Sequence, residues 1–347
     1  MKIFSVIAAV TLMVSSVVWG QPSHAKTLDE LAAYKGGDRE KILLEGAEAE
    51  GKVVWYTSLT STTYKGIVKA FTEKYPDVEI EVYRAGSKDI APKILGEAKA
   101  GRHLVDAIES TPGILMLLRD KKIIRPYTSP HHEKYPDEAR TKADAGGVYW
   151  VTDREAFIGF GYNTKLIAEK DVPKNFDDLL KPHLKNKMAL PISSTGDRVI
   201  GTMLKFKGAE YVEKLKSQEI KLFKLSGSAM RDLIISGEIA SSPGIFRNQA
   251  LVKMEQGAPL NWVPMDVVIS NAGGAGVVSK APHPHAALLL VDFIIGPEGQ
   301  AIFEKNKYGV AWKDYPFKRE FPERGMSTMQ YIREEKKWNR LLRDIAR

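Results

Sequence analysis

Hydrophobic and polar positions along this chain recur with two periods, and the switches between them mark out its elements. Thr27 followed three residues later by Glu30 forms a capping box, and Leu31, Ala32, Ile42, Leu43, Leu44 and Ala47 continue at helical spacing up to Gly51. Lys52 to Tyr56 reads as a short apolar strand. Ile67, Val68 and Phe71 give Tyr64 to Tyr75 an amphipathic helical face, which Pro76 ends. Val78 to Arg84 alternates as a strand, Ile90 to Ala100 is a helix closed by Gly101, Val105 to Ile108 is a strand, and Pro112 to Asp120 is a helix. This βαβα series predicts an α/β fold.

A second series is expected after Gly161. Lys187 to Leu190 and Ile220 to Lys224 read as strands, while Arg198 to Lys207, Ala209 to Gln218, Met230 to Ser236 and Asn248 to Gln256 read as helices. From Val263 to Ser279 the chain turns β-rich and glycine-rich, which suits a crossing between lobes. A helix from His285 to Ile295, another from Pro297 to Lys305 and a charged terminal helix from Met329 complete the pattern. No internal repeat or low-complexity segment interrupts it.

The N-terminus has a different character. Lys2 precedes a largely apolar run from Ile3 to Trp19, then Ser23-His24-Ala25 in the small-x-small pattern of a signal-peptidase site. A signal peptide over residues 1–25, cut after Ala25, is the expectation, with a retained anchor as the alternative. Cysteine is absent from all 347 residues, which excludes a lipobox, a disulfide framework and any thiolate ligand. The mature chain is therefore expected to be free and exported, and it is long enough for two lobes. The full sequence has 51 basic and 43 acidic side chains, a formal net charge of +8, and removal of residues 1–25 takes one lysine and no acid, leaving +7. The charges are interspersed, as in Asp38-Arg39-Glu40-Lys41, so a solvated mixed surface is expected, with no nucleic-acid motif and a weak preference for anionic solutes.

Hydroxyl-rich junctions are the chemistry the sequence offers. Between Thr57 and Thr63 every residue but Leu59 carries a hydroxyl, where a strand gives way to a helix whose free N–H groups can hold an anion; Ser61 or Thr62 as a simple cap is the bland alternative. Ser194, Thr195 and Gly196, after Ser193, form a second such cradle, with Gly196 expected to let the backbone approach a ligand. Glu109, Ser110 and Thr111 repeat the arrangement at the carboxyl end of a strand. Arg84, Arg198 and Arg247 are the nearest cations, and Arg247, beside Asn248 and after Ser241-Ser242-Pro243-Gly244, is the favoured anion partner. His131-His132 and the pair His283 and His285 invite a metal reading, but no carboxylate stands as a clear third ligand. Fingerprints of hydrolases, nucleotide sites and metalloproteases are absent, so neither catalysis nor a cofactor is expected.

These segments resemble the periplasmic solute-binding proteins of ABC importers, in the ferric-ion-binding branch of the two-lobed class. The carriers are Val53-Val54-Trp55-Tyr56-Thr57-Ser58 leading to Ala70-Phe71, then Gly161-Tyr162-Asn163-Thr164-Lys165-Leu166, and Gly276-Val277-Val278 with Ala286-Ala287, Val291-Asp292-Phe293 and Glu298-Gly299-Gln300. The resemblance implies two α/β lobes, each a mixed sheet flanked by helices, joined by crossing hinge strands. It places residues 26–158 and 267–347 in one lobe and 159–266 in the other, with solute trapped by closure for an ABC permease in the cytoplasmic membrane and the protein acting as a monomer. It does not carry over iron. The family's ferric ligands are two tyrosines, often with a histidine and a glutamate; the matching positions hold Arg247 and Asn248, Thr60 and Ser110. The family's anion cradle falls on Ser194, Thr195 and Gly196. An organic anion bearing phosphate, phosphonate or carboxylate is the expected solute, gripped by these residues with Thr57, Ser58, Thr60, Ser110, Thr111, Arg247 and Asn248. The alternatives are ferric iron on Tyr56, Tyr64 or Tyr162, and a secreted hydrolase.

Overall fold

The computed structural model describes residues 27–346, so the expected signal segment and its cut after Ala25 lie outside the described residues. Helices α1 (Leu28–Ala33) and α2 (Arg39–Glu50) lead into β1 (Lys52–Thr57), then α3 (Ser61–Lys74), β2 (Glu79–Arg84), α4 (Ser87–Lys99), β3 (Ala107–Ser110) and α5 (Pro112–Asp120). Short strands β4 (Ile124–Arg125) and β5 (Arg140–Lys142) precede the long β6 (Val148–Asn163). After it come β7 (Ala189–Pro191), α6 (Ser194–Lys214), β8 (Lys221–Phe223), α7 (Gly227–Ser236), β9 (Ser241–Phe246), α8 (Arg247–Glu255), β10 (Leu260–Val263) and β11 (Val268–Val278). The chain closes with α9 (Pro284–Ile295), α10 (Pro297–Lys305), β12 (Arg319–Glu320) and α11 (Thr328–Asp344).

Local signals act as their chemistry requires. The Thr27 hydroxyl accepts from the Glu30 N–H at 3.3 Å while the Glu30 carboxylate accepts from the Thr27 N–H at 2.7 Å, closing the capping box of α1. Gly51 ends α2 in the left-handed region at φ 74°. The two expected helices, Arg198 to Lys207 and Ala209 to Gln218, are the two halves of α6, separated by a kink where Gly208 takes φ 83° and ψ 175°, and the second ends in a turn of 3₁₀ helix.

The architecture is a two-lobed α/β fold. In one lobe β1 lies parallel between β2 and β3, and β11 pairs antiparallel with β3. The two longest strands join the halves: β11 runs antiparallel to β6 from Ile269 opposite Ile158 to Ala275 opposite Val151. Beyond that register β6 continues between β9 and β10, so its first half packs Val148, Val151 and Ala156 into one core and its second half packs Ile158, Phe160 and Tyr162 into another.

The sequence reading missed β6. Its centre, Thr152-Asp153-Arg154-Glu155, is polar enough to read as a loop, yet all four residues are buried. Pairing makes this tolerable: Arg154 Nη2 lies 2.8 Å from Glu109 Oε1, and Glu155 accepts from Ser270 Oγ at 2.8 Å and from Arg319 Nη1 at 2.5 Å. Helix α11 bridges two clusters, with Tyr331 and Trp338 in a third cluster that holds residues of β1, β3 and α5, and Leu342 in the second core, with residues of α6.

Candidate functional site

The candidate site lies where three parallel-type strands end and three helices begin. Strands β2, β3 and β7 run into α4, α5 and α6, whose first turns all border one cavity of about 470 Å³. Its wall takes Gly86, Ser87 and Lys88 from the start of α4, Thr111 and Gly113 from the start of α5, and Ser193, Ser194 and Thr195 from the start of α6. Thr111 and Gly86 stand at the N-caps of α5 and α4 without a side-chain capping bond, whereas Ser193 caps α6 by accepting from the Thr195 N–H at 3.3 Å. Three positive dipole ends aimed into one space favour an anion.

Arg198 supplies the formal charge. It sits one turn into α6, and because helical side chains lean toward the N-terminus, its Nη1 reaches the Ser194 carbonyl at 3.4 Å. Nη2 donates to the Tyr331 hydroxyl at 3.1 Å, and the buried Nε has no protein partner. Burial opposes the charge of this guanidinium, but Tyr331, Glu323 and Glu335 outweigh burial and hold it protonated. Asn271, from β11, adds a buried Oδ1 without a partner to the same wall. The opposite wall belongs to α11 through Tyr331, Ile332 and Glu335, and Glu335 lies 4.0 Å from Lys88.

The expected site residues divide into two groups. Thr111, Ser194 and Thr195 line the cavity; Thr57, Ser58, Thr60, Ser110, Gly196, Arg247 and Asn248 do not. The hydroxyl run after β1 is occupied by Glu109, which the sequence grouped with Ser110 and Thr111 and not with this run. Glu109, fully buried, accepts from Thr57 Oγ1 at 2.9 Å and from the Ser58 N–H at 3.1 Å, while Thr57 Oγ1 in turn accepts from the Leu59 N–H. Thr60, not Ser61 or Thr62, is the N-cap of α3, and its hydroxyl is bonded to that of Thr63 at 2.9 Å. Ser110 is buried with its hydroxyl unpartnered, as is Asn248 Oδ1. Arg247 begins α8 with its guanidinium 6.0 Å over the Trp262 ring. Arg84 donates Nε to the Leu59 carbonyl at 3.0 Å. Tyr331 and the Gly86-Ser87-Lys88 turn are cavity residues that the sequence reading did not name.

Gly196 has a different task from the one expected. A Cβ there would lie 2.1 Å from the Pro191 carbonyl oxygen and 2.9 Å from Leu342 Cδ2, and Gly113 and Gly201 make similar room for Tyr331 and Trp338. The three glycines are notches in which α11 is seated, so Gly196 serves helix packing. Gly196→Ala is expected to destabilise the fold by about 3 kcal/mol, because backbone cannot yield as a side-chain tip does. A urea midpoint within error of wild type would contradict this.

Metal chemistry finds little here. Among the described residues no group of three or more His, Asp or Glu side chains is arranged to hold a metal ion. His283 Nδ1 is bonded to Asp106 and His285 Nδ1 to Glu50, pairs that fasten the start of α9. Tyr56 donates to Glu97 at 3.0 Å, and Asn261 donates to the Tyr162 hydroxyl at 3.2 Å. Burial pushes the Tyr331 hydroxyl up to about 12, so it stays neutral and accepts from Arg198 Nη2.

A fold of two lobes on shared long strands, with helix N-termini facing a cavity, defines the class of periplasmic binding proteins. Residues 66–316 match the family described as bacterial extracellular solute-binding protein, and the chain belongs to that family. It is 30% identical over 278 residues to an uncharacterized protein of Haemophilus influenzae, covering 77% of each chain. Iron-bound HitA from Pseudomonas aeruginosa shares the fold at a TM-score of 0.67 and 21% identity, covering 85% of this chain and 99% of that one. The periplasmic binding protein AfuA from Actinobacillus pleuropneumoniae, with exogenous fructose-6-phosphate bound, does so at 0.69 and 23%, with the same coverage. The protein is therefore an extracellular solute-binding protein by family, and the hydrolase alternative is not favoured by that membership.

Proposed function

We propose that this protein captures a small organic anion bearing phosphate, phosphonate or carboxylate between its lobes and delivers it to an ABC permease. The observation that carries the reading is the convergence of three helix N-termini on one cavity together with the unpartnered Arg198 Nε. In this reading Thr111, Ser194 and Thr195 hold the anionic group with Arg198, Ser87 and Lys88 help from across the cavity, and Tyr331 holds the guanidinium flat against it. Iron-bound HitA and fructose-6-phosphate-bound AfuA share this fold, so the cargo is argued from the residues.

The lobe division we propose is 26–158 with 267–347, against 159–266, hinging where β6 and β11 pass from one core to the other; the change of core along β6 supports it. Signal cleavage after Ala25 and the lack of cysteine would leave a free periplasmic monomer. Native mass spectrometry of the freshly purified mature chain tests the cargo. An acidic organic adduct, displaced by excess hexose phosphate or dicarboxylate, is expected. Stoichiometric uptake of iron from ferric citrate, with a tyrosinate absorption band and no organic adduct, would replace the anion reading with the ferric one.

A further inference from the structure

A second cleft, of about 490 Å³, lies elsewhere in the molecule and shares no wall residue with the solute cavity. Its wall carries Lys35, Arg39, His132, Arg140 and Lys142, with Glu133 as its acid. Arg39 is 4% exposed and fixed on three sides, with Nε 2.8 Å from Asp292 and Nη1 donating to the Leu31 and Tyr34 carbonyls; its Nη2 has no partner. His132 is 7% exposed and packs edge-on to Tyr127 with ring centres 4.9 Å apart, and its Nε2 has no partner either.

Buried donors without acceptors are costly and rare. The Arg39 Nη2 donor and the His132 Nε2, a donor in the Nε2–H tautomer, lie without partners on side chains that line one cleft with three further cations, and mark a place where an acceptor is missing. Asp292 offsets Arg39, and Asp137 pairs with both Arg140 and Lys142, but Lys35 has no ion pair among the described residues. We propose that this cleft is a second, independent anion site that takes a tetrahedral oxyanion, free or as the head of a small phosphate ester, on Arg39 Nη2 and His132 Nε2, with Lys35 and Lys142 at its mouth. Burial, with Arg140 and Arg39 next, holds His132 down to about 4, so the imidazole is neutral at physiological pH and offers an N–H without adding to the repulsion among the cations. The same crowd of positive charge disfavours a metal ion on the His131-His132 pair.

Amide chemical shifts of the labelled mature protein, titrated with inorganic phosphate and separately with glycerol phosphate, test the site. Saturable shifts are expected at Gly36, Ser129 and Gly147, unchanged in Arg198→Gln, which disables the solute cavity. Lys35→Gln with Lys142→Gln, both on the solvent side of the cleft, should weaken them about tenfold. His132→Gln should also weaken them while the spectrum elsewhere reports an intact fold. Response to phosphate alone identifies a free ion as the ligand, and response to both identifies an ester-tolerant site. Shifts that vanish in Arg198→Gln, that ignore the lysine changes, or that never saturate would overturn the proposal.

Discussion

Replacing Arg198 by glutamine is expected to weaken binding of the native solute by about 100-fold, read by isothermal titration with the compound that co-purifies with the protein. The size follows from the setting. The guanidinium is 6% exposed, so its partners are not replaced by water when it is lost, and Nε is the donor with no competing protein acceptor. Burial pushes the nearby Glu323 up, and Arg198 is the cation that opposes this; removing the cation also strips an anionic solute of its shield from that carboxyl. Arg198→Lys should recover only part of the affinity, since the single nitrogen of an ammonium cannot span the separate positions that Nη1, Nη2 and Nε of the guanidinium reach. Arg247→Gln is the discriminating control. Its cation sits over Trp262 and off the cavity wall, so a change within about twofold is expected. A large loss in Arg247→Gln with none in Arg198→Gln would restore the assignment drawn from sequence.

That contrast shows where the sequence was legible. The βαβα series could be read because each element carries its own period: Ile67 and Phe71 of α3 are fully buried and one turn apart, and both belong to one core. Strand β6 could not, because its polar centre is compensated by Glu109, Ser270 and Arg319, partners far away in sequence. The Ser193-Ser194-Thr195 cradle was legible as a strand-to-helix junction with hydroxyls. The hydroxyls after β1 gave the same local signal, but the Glu109 carboxylate that occupies them arrives from another strand. Arg198 was visible as a candidate and ranked below Arg247, although its position four residues after Ser194 on a helix brings it back over the Ser194-Thr195 turn. Tyr331 lies 133 residues from Arg198, and no local pattern announces that contact.

The same buried charges should make the hinge region the most mutation-sensitive part of the fold. Arg154→Met is expected to cost about 3–5 kcal/mol at pH 7, because it leaves the Glu109 carboxylate, fully buried, facing Asp153 with no cation between them. Burial, reinforced by Glu109, already pushes the Asp153 carboxyl well up, and Arg154 is the charge that opposes this. Without it the Asp153 carboxyl, already raised by burial and Glu109, loses the charge that opposes the rise and is pushed further up. Groups whose folded pKa lies above the unfolded value favour the folded state at low pH and lose that advantage as pH rises through the window above the ordinary carboxylate range. The deficit of Arg154→Met in urea unfolding should therefore shrink at pH 5 and grow at pH 8. Adding Glu109→Gln keeps an acceptor for Thr57 and Ser58 but removes the charge, so the double variant should regain most of the lost stability. Equal deficits in single and double variants, or a deficit independent of pH, would mean that Arg154 acts by filling space between the lobes, and that the ion pair with Glu109 adds nothing to its role.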